Sequence, residues 1–171
     1  MVLVKNRAFR RAVVAGAPSW VAVGGGSGSP RLWVAVAESS AGGLISAALL
    51  SVPGASAYFI GSAVFYTRKS LAGLLNLSDS DFAQMRGLTE PTATLLAGAI
   101  RKQLSTSWAI AEIGASGPTG SRYGEPAGTS CIAVVGDKTR STIIRTGSAD
   151  RVANMQAFAQ AALNLLQEVI G

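Results

Sequence analysis

The sequence predicts an α/β fold, a three-layer α/β/α sandwich built on a mixed sheet. Short apolar runs alternate with segments of helical periodicity, and such elements bury their apolar faces as a sheet between helical layers. Near the C-terminus two strand-like runs bracket Asp137-Lys138 as a hairpin, which adds antiparallel strands to an otherwise parallel sheet. The chain has 171 residues, 49% of them apolar, enough for one substantial core. Aromatic residues are only 6%, so that core must be packed mainly with Ala, Val, Leu and Ile.

Leu32–Ala37 is short and nearly all apolar, as expected of a strand covered on both faces. Glu38–Gly43 interrupts it, and Leu44–Leu50 reads as a helix closed by the Pro53-Gly54 turn. Tyr58–Tyr66, rich in aromatic and branched residues, is the second strand, and Arg68–Leu75 a short helix. Glu90–Leu104 is a longer helix with Pro91 suited to its first position. Trp108–Ile113 is the third strand, followed by the long loop Gly114–Ala127. Ser130–Val135 and Ser141–Arg145 form the hairpin. Val152, Met155, Phe158, Ala159, Ala162, Leu166 and Val169 recur at helical spacing and close the fold with an amphipathic helix.

Net charge is +6, but Lys5, Arg7, Arg10, Arg11 and Arg31 all precede the first acid, Glu38. Removing those five from the 15 basic residues leaves 10 against nine acids, so the excess belongs to the N-terminal tail. No basic cluster with interleaved aromatics is present, and nucleic acid is not an expected partner. No apolar run reaches the ~18 residues that span a bilayer, so no membrane partner is expected either. Residues 1–31 form a basic, Gly/Ser-containing tail or linker, with 32–171 as the domain. The single cysteine, Cys131, sits in an apolar run, reads as a buried small hydrophobe and fits a reducing, cytoplasmic setting. The Arg-rich, acid-poor start leaves organellar targeting as the other reading. Histidine is absent, which excludes Ser-His-Asp and Cys-His catalysis and the usual zinc sites. No metal and no cofactor is expected.

Two glycine-rich loops follow apolar strands. In Glu38-Ser39-Ser40-Ala41-Gly42-Gly43 a strand ends and a helix begins, so helix-start amides can meet an anion, or an oxyanion if a serine attacks a carbonyl. Gly114-Ala115-Ser116-Gly117-Pro118-Thr119-Gly120 has the composition of a shaped binding loop. In an α/β sheet ligands gather at the carboxyl ends of strands, where both loops lie. Ser40, Gly42, Gly43, Tyr66, Gly114, Ser116, Gly117, Thr119 and Gly120 are the expected ligand-contacting residues. Glu112, a carboxylate in the apolar third strand, is either an edge-strand or solvent-facing residue, or able to accept a hydrogen bond from a ligand ribose or to orient a water as general base. Arg122 and Tyr123 could meet a phosphate and a ring.

Ala37-Glu38-Ser39-Ser40-Ala41-Gly42-Gly43-Leu44-Ile45, Val52-Pro53-Gly54-Ala55-Ser56, Val64-Phe65-Tyr66-Thr67, Gly114–Gly120 and Glu125-Pro126-Ala127-Gly128-Thr129 together resemble the CinA C-terminal domain family. The resemblance covers nearly all of Leu32–Gly171. It implies an α/β/α sandwich and, for active members, an amidase that hydrolyses nicotinamide mononucleotide to nicotinate mononucleotide and ammonia. It makes Ser39 the nucleophile. The family pairs that serine with a lysine five residues after the tyrosine of the second strand, and here that position is Leu71. Lys69 is two residues away, about 200° around a helix. The Ser or Thr expected before Gly114 is Ile113, and a Gly-Asp-Arg pattern reads Gly147-Ser148-Ala149-Asp150-Arg151, two residues longer. The expectation is an amidohydrolase-like domain with Ser39 and Glu112 as its candidate catalytic residues. The alternative is a catalytically silent domain that binds a small molecule, a nicotinamide nucleotide by resemblance, or self-associates.

Deleting Met1–Pro30 is expected to leave a cooperatively folding protein, because little apolar periodicity there suggests core membership. Thermal melting of the truncated chain checks it: a large fall in Tm would mean that the tail supplies a structural element.

Overall fold

The computed structural model describes residues 33–170. A five-stranded sheet runs in the order β2-β1-β3-β4-β5. Its strands are β1 (Val34–Glu38), β2 (Phe59–Val64), β3 (Trp108–Ala115), β4 (Thr129–Val135) and β5 (Thr139–Arg145). β1 is parallel to both β2 and β3, while β3-β4-β5 is an antiparallel meander. The helices are α1 (Leu44–Leu50), α2 (Arg68–Leu75), α3 (Asp79–Gln84), α4 (Glu90–Gln103) and α5 (Arg151–Ile170). A single 3-10 turn, Ala55–Ala57, precedes β2. The mixed α/β sandwich is as the sequence predicts. The α3 segment Asp79–Gln84 and the 3-10 turn are additions: both are too short to show a period, and α3 is held by the Ser78–Asp81 capping box.

Alternation along the strands sorts large from small. Val34, Val36, Trp108, Ile110, Ile132 and Val134 pack against α1 and α5, through Ile45, Leu49, Ala159, Ala162 and Leu166. The opposite face is alanine-rich: Ala35, Ala37, Ala109, Ala111, Cys131 and Ala133 meet Ala93, Leu96, Ala97 and Ile100 of α4 and Leu71 and Leu75 of α2. Branched side chains fill the gap beneath α1 and α5, whereas methyl groups leave room only for α4's own leucine and isoleucine. Cys131 is fully buried there, and burial pushes its thiol up to about 11, so it behaves as a small apolar residue.

The connections position the site. The β1–α1–β2 crossover runs over the branched face, and the β2–α2–α3–α4–β3 crossover returns over the alanine face. Adjacent strands β1 and β2 therefore send their following segments to opposite sides, which opens a crevice at their carboxyl ends. The Ser39–Gly43 loop forms one wall and the Phe65–Thr67 segment the other.

At the opposite end of the sheet Gly136 opens the β4–β5 turn directly beneath the Trp108 indole, where a Cβ would overlap the ring. Gly136→Ala is expected to cost about 1–3 kcal/mol through displacement of Trp108. Asp137→Ala on the exposed tip should change stability by less than about 0.5 kcal/mol. Urea unfolding of the two variants checks the contrast.

Candidate functional site

Two carboxylates stand side by side on the branched face, since Glu38 of β1 is the register partner of Glu112 of β3. Both are fully buried. Glu112 is thus neither on an edge strand nor facing solvent, because β3 lies at the centre of the sheet. Its Oε1 accepts hydrogen bonds from the hydroxyls of Ser40 and, at 2.8 Å, Ser130. Its Oε2 accepts from the backbone N–H of Ala41 at 2.8 Å and of Ser39 at 3.2 Å. Glu38 accepts from the backbone N–H groups of Ile45 and Ser46, each at 3.0 Å, and from the Ser46 hydroxyl. The segment from Ser39 to Ser46 is therefore fastened at its start by one carboxylate and at its end by the other.

This arrangement corrects the expectation that the first amides of α1 are free for a ligand anion. Glu38, from the protein itself, takes the place of that anion at the start of the helix. Of the backbone N–H groups from Ser39 to Ser46, those of Ser39, Ala41, Gly42, Leu44, Ile45 and Ser46 have internal acceptors. Among the described residues, the Ser40 and Gly43 amides are left without one. The same geometry ties up Glu112: both of its oxygens are engaged in holding the loop. Among the described residues the Ser39 hydroxyl, half-buried at the crevice, has no hydrogen-bond partner.

The second loop meets the first from below. Gly114 is glycine because a Cβ would lie 2.6 Å from Ser40 Oγ and 2.7 Å from the Thr129 carbonyl oxygen, so this residue serves the packing under the loop. Ser116 is buried and its carbonyl accepts from Asn154 Nδ2 at 2.8 Å. The same Nδ2 donates to the Ser148 carbonyl at 2.8 Å, while Oδ1 accepts from the Thr146 hydroxyl at 2.5 Å. Gly117 has φ 107° and passes so close to the Ala149 carbonyl that no other residue would fit. Thr119 and Gly120 are exposed, and the loop's far end is clasped by Glu125, which accepts from the Ser121 hydroxyl and the Leu88 amide. Arg122 and Tyr123 are exposed on that outer turn.

The start of α5 joins the two walls, a contribution that the sequence reading did not assign. Arg151 donates to the Gly117 carbonyl and, at 3.5 Å, to the Tyr66 hydroxyl. Met155 fills the space beside Gly42, where a Cβ would come within 2.7 Å of its terminal methyl. Ser39, Gly42, Gly43, Tyr66 and Gly117 are thus gathered at one end of the sheet. The Asp150-Arg151 pair opening the last helix was the available signal for Arg151. Leu71, on the first turn of α2, is buried in the alanine-face core, and Lys69 is exposed. The described chain holds two other lysines, Lys102 and Lys138, and both lie at the opposite end of the sheet. Among the described residues there is no cluster of three or more metal-ligating side chains, and no helix is long and apolar enough to cross a membrane.

Comparison with known proteins accords with this layout. A family model described as the CinA C-terminal domain matches residues 23–170. The chain belongs to the CinA C-terminal domain family. CinA-like proteins of Chlorobium limicola and Gloeobacter violaceus are each 35% identical to it, over 149 and 139 residues. These alignments cover 82% and 80% of this chain but 35% and 33% of the relatives, so the CinA domain here spans about a third of their length. Among solved structures, a CinA superfamily protein of Escherichia coli superposes with a TM-score of 0.79 at 22% identity, covering 94% of this chain and 90% of the other. The competence/damage inducible protein CihA of Agrobacterium tumefaciens gives 0.77 at 24%, covering 95% and 93%. The family match begins at residue 23, inside the segment read from sequence as a tail; residues 1–32 lie outside the described residues.

Burial, the largest influence, raises the Glu112 pKa above the ordinary carboxyl value, against the lowering effect of the bonds from Ser40, Ala41, Ser130 and Ser39. Folding therefore favours the protonated form. The contribution of this group is fully present below the ordinary carboxyl pKa and is lost as pH rises through the raised folded-state value. In the protonated form the proton is carried on Oε1, because the amides can only donate to Oε2, and one serine hydroxyl then becomes an acceptor. Glu112→Gln reproduces that neutral pattern: it should stay folded, and its stability should fall less than the parent's as pH rises from acid to neutral. Glu112→Ala, which strands the same donors, should lose about 2–5 kcal/mol. Urea titrations of the three proteins across that pH range measure both effects.

Proposed function

We propose that the crevice between β1 and β2 is an amidase site of the nicotinamide-nucleotide type in which Ser39 is the nucleophile and the base is missing. The nucleotide is held, and its carboxamide is hydrolysed slowly to the carboxylate and ammonia. The observation that carries this reading is Leu71. By the resemblance it stands where the family has a lysine; it is 7% exposed and faces the alanine-rich core while the Ser39 hydroxyl is without a partner among the described residues. Attack by Ser39 Oγ on an amide carbon places negative charge on the amide oxygen. The two unengaged loop amides, Ser40 and Gly43, are the groups that can receive it. Arg151, exposed beside Tyr66, offers a cation to the phosphate of a nucleotide. The serine proton, however, must be removed and then delivered to the departing ammonia. A serine without a positioned base is a poor nucleophile at neutral pH, and general-base help contributes about 10²–10⁴-fold.

The same observation favours one other reading, a domain that binds the nucleotide without turning it over. Ammonia release from nicotinamide mononucleotide separates the two. The unmodified chain is expected to bind the nucleotide and release ammonia slowly, whereas no release at all leaves the binding domain. Leu71→Lys restores the amine at the family's spacing, and its buried location would depress the lysine pKa toward that of a useful base. The expected gain in turnover is about 10²-fold or more, lost again in the Ser39→Ala, Leu71→Lys double variant. Melting curves confirm that each variant is folded. Brisk turnover by the unmodified chain, abolished by Ser39→Ala, would reveal another base and overturn the proposal.

A further inference from the structure

The buried stripe of α5 begins with a polar residue. Asn154 leads the series Phe158, Ala162, Leu166 and Val169 and is as fully buried as Phe158. A buried amide is tolerated only where its groups are bonded, and these are. Nδ2 donates to the Ser116 and Ser148 carbonyls, both at 2.8 Å, and Oδ1 accepts from the Thr146 hydroxyl. Arg151, three residues earlier on the same helical face, donates to the Gly117 carbonyl. Two side chains of α5 therefore hold two consecutive carbonyls of the second loop. Between β5 and the helix lies the turn at Ser148-Ala149, by the resemblance two residues longer than the family's Gly-Asp-Arg pattern. Ser148 is held at three points: its N–H donates to Thr146 Oγ1 at 3.2 Å, its Oγ accepts from the Asp150 N–H at 3.0 Å, and its carbonyl accepts from Asn154. The turn is wedged against two glycines. A Cβ on Gly117 would lie 2.6 Å from the Ala149 carbonyl oxygen, and one on Gly128 would lie 2.8 Å from that of Ser148.

We propose that Asn154 is a positioning residue for the crevice. By fastening the Ser148-Ala149 turn to the Gly117 loop it fixes the carbonyl that orients Arg151, and so presets that guanidinium for the phosphate of a nucleotide. This role rests on the nucleotide reading of the crevice and adds to it the group that decides how strongly the phosphate counts. Arg151 is exposed and its side chain is long, so left free it would have to be ordered each time a ligand bound. One of its amino groups is instead fixed on the Gly117 carbonyl, while the other lies 3.5 Å from the Tyr66 hydroxyl. The fold thereby meets the ordering cost before the ligand arrives. Asn154 acts on Arg151 through Ser116 and Gly117: releasing the Ser116 carbonyl frees the neighbouring peptide, and the arginine follows it.

Asn154→Leu in the full chain keeps the side-chain volume and removes both donors. Asn154→Ala, which admits water to the same carbonyls, is the second variant should the leucine not fold, and melting curves decide which is used. Calorimetric titration with nicotinamide mononucleotide and with nicotinamide riboside, which lacks the phosphate, reads the role. The preference for the nucleotide over the riboside should fall about three- to ten-fold in the variant, with riboside affinity unchanged. Gly136→Ala, a destabilising change at the opposite end of the sheet, should leave that preference intact. Equal weakening of both ligands, or an unchanged preference, overturns the proposal. Proton NMR of the ligand-free protein gives a second reading, with the Arg151 guanidinium signals assigned by their loss in Arg151→Gln. Separate N–H signals are expected in the parent and averaged ones in the variant. If the parent binds neither molecule, the nucleotide reading fails by itself and these signals decide the positioning role: averaging confined to the variant upholds it, and identical signals overturn it.

Discussion

Everything at the crevice depends on two buried carboxylates that occupy matching positions on neighbouring strands. Burying one ionisable group is costly, and burying two side by side is tolerable only where each is surrounded by donors. Glu38 and Glu112 meet that condition with the same short segment of chain. The loop satisfies the carboxylates, and the carboxylates fix the loop. Neither could be changed to an apolar residue without leaving the other half of the arrangement unsatisfied. Ser39 is held by its own backbone N–H, which donates to Glu112, so its side chain is positioned without being engaged.

The second constraint is the uneven division of volume between the two faces of the sheet. Alanines on one face admit α4 and α2 closely, and this is why Leu71 can be buried against that face. The branched face supports α1 and α5, whose ends carry Gly43 and Arg151 to the two sides of the crevice. Asn154 and Asp150 then fasten the start of α5. Asn154 reaches the Ser116 and Ser148 carbonyls, and Asp150 accepts from the Val152 and Ala153 amides.

Most of the fold was legible in the sequence because its signals are periodic. The boundaries of α1 and α2 coincide with those read from sequence, since glycine and threonine caps and the turn at Pro53-Gly54 mark them. Trp108–Ile113 was read short by two residues, because Gly114 looks like the start of a loop yet pairs with Ser130 in the sheet. The site was less legible. That loop amides are consumed by Glu38 is a matter of where a side chain turns, which no spacing reveals. Glu112 drew notice as a charge among apolar residues, but its donors come from residues more than 70 positions earlier and from the neighbouring strand. Arg151 and Asn154 lay in a helix read for its apolar stripe, so their polar contacts with Gly117 and Ser116 carried no sequence signal beyond the Asp-Arg pair.

The sheet also joins two kinds of pairing with different entropic demands. The meander β3-β4-β5 is closed by chain neighbours, whereas β1 pairs with β3, from Val34 beside Trp108 to Glu38 beside Glu112, only across a long stretch of intervening chain, as do the contacts of Ser39, Ser40 and Ala41 with Glu112, separated by 73, 72 and 71 residues. Closing long loops is entropically harder than closing short ones, and it slows the steps that require it. The hairpin half can therefore organise by itself, while the serine loop acquires its shape only when the far segment docks. Competence of the crevice is in this sense a readout of completed folding: a chain with its meander intact and β1 undocked would keep much of its sheet and have no site at all.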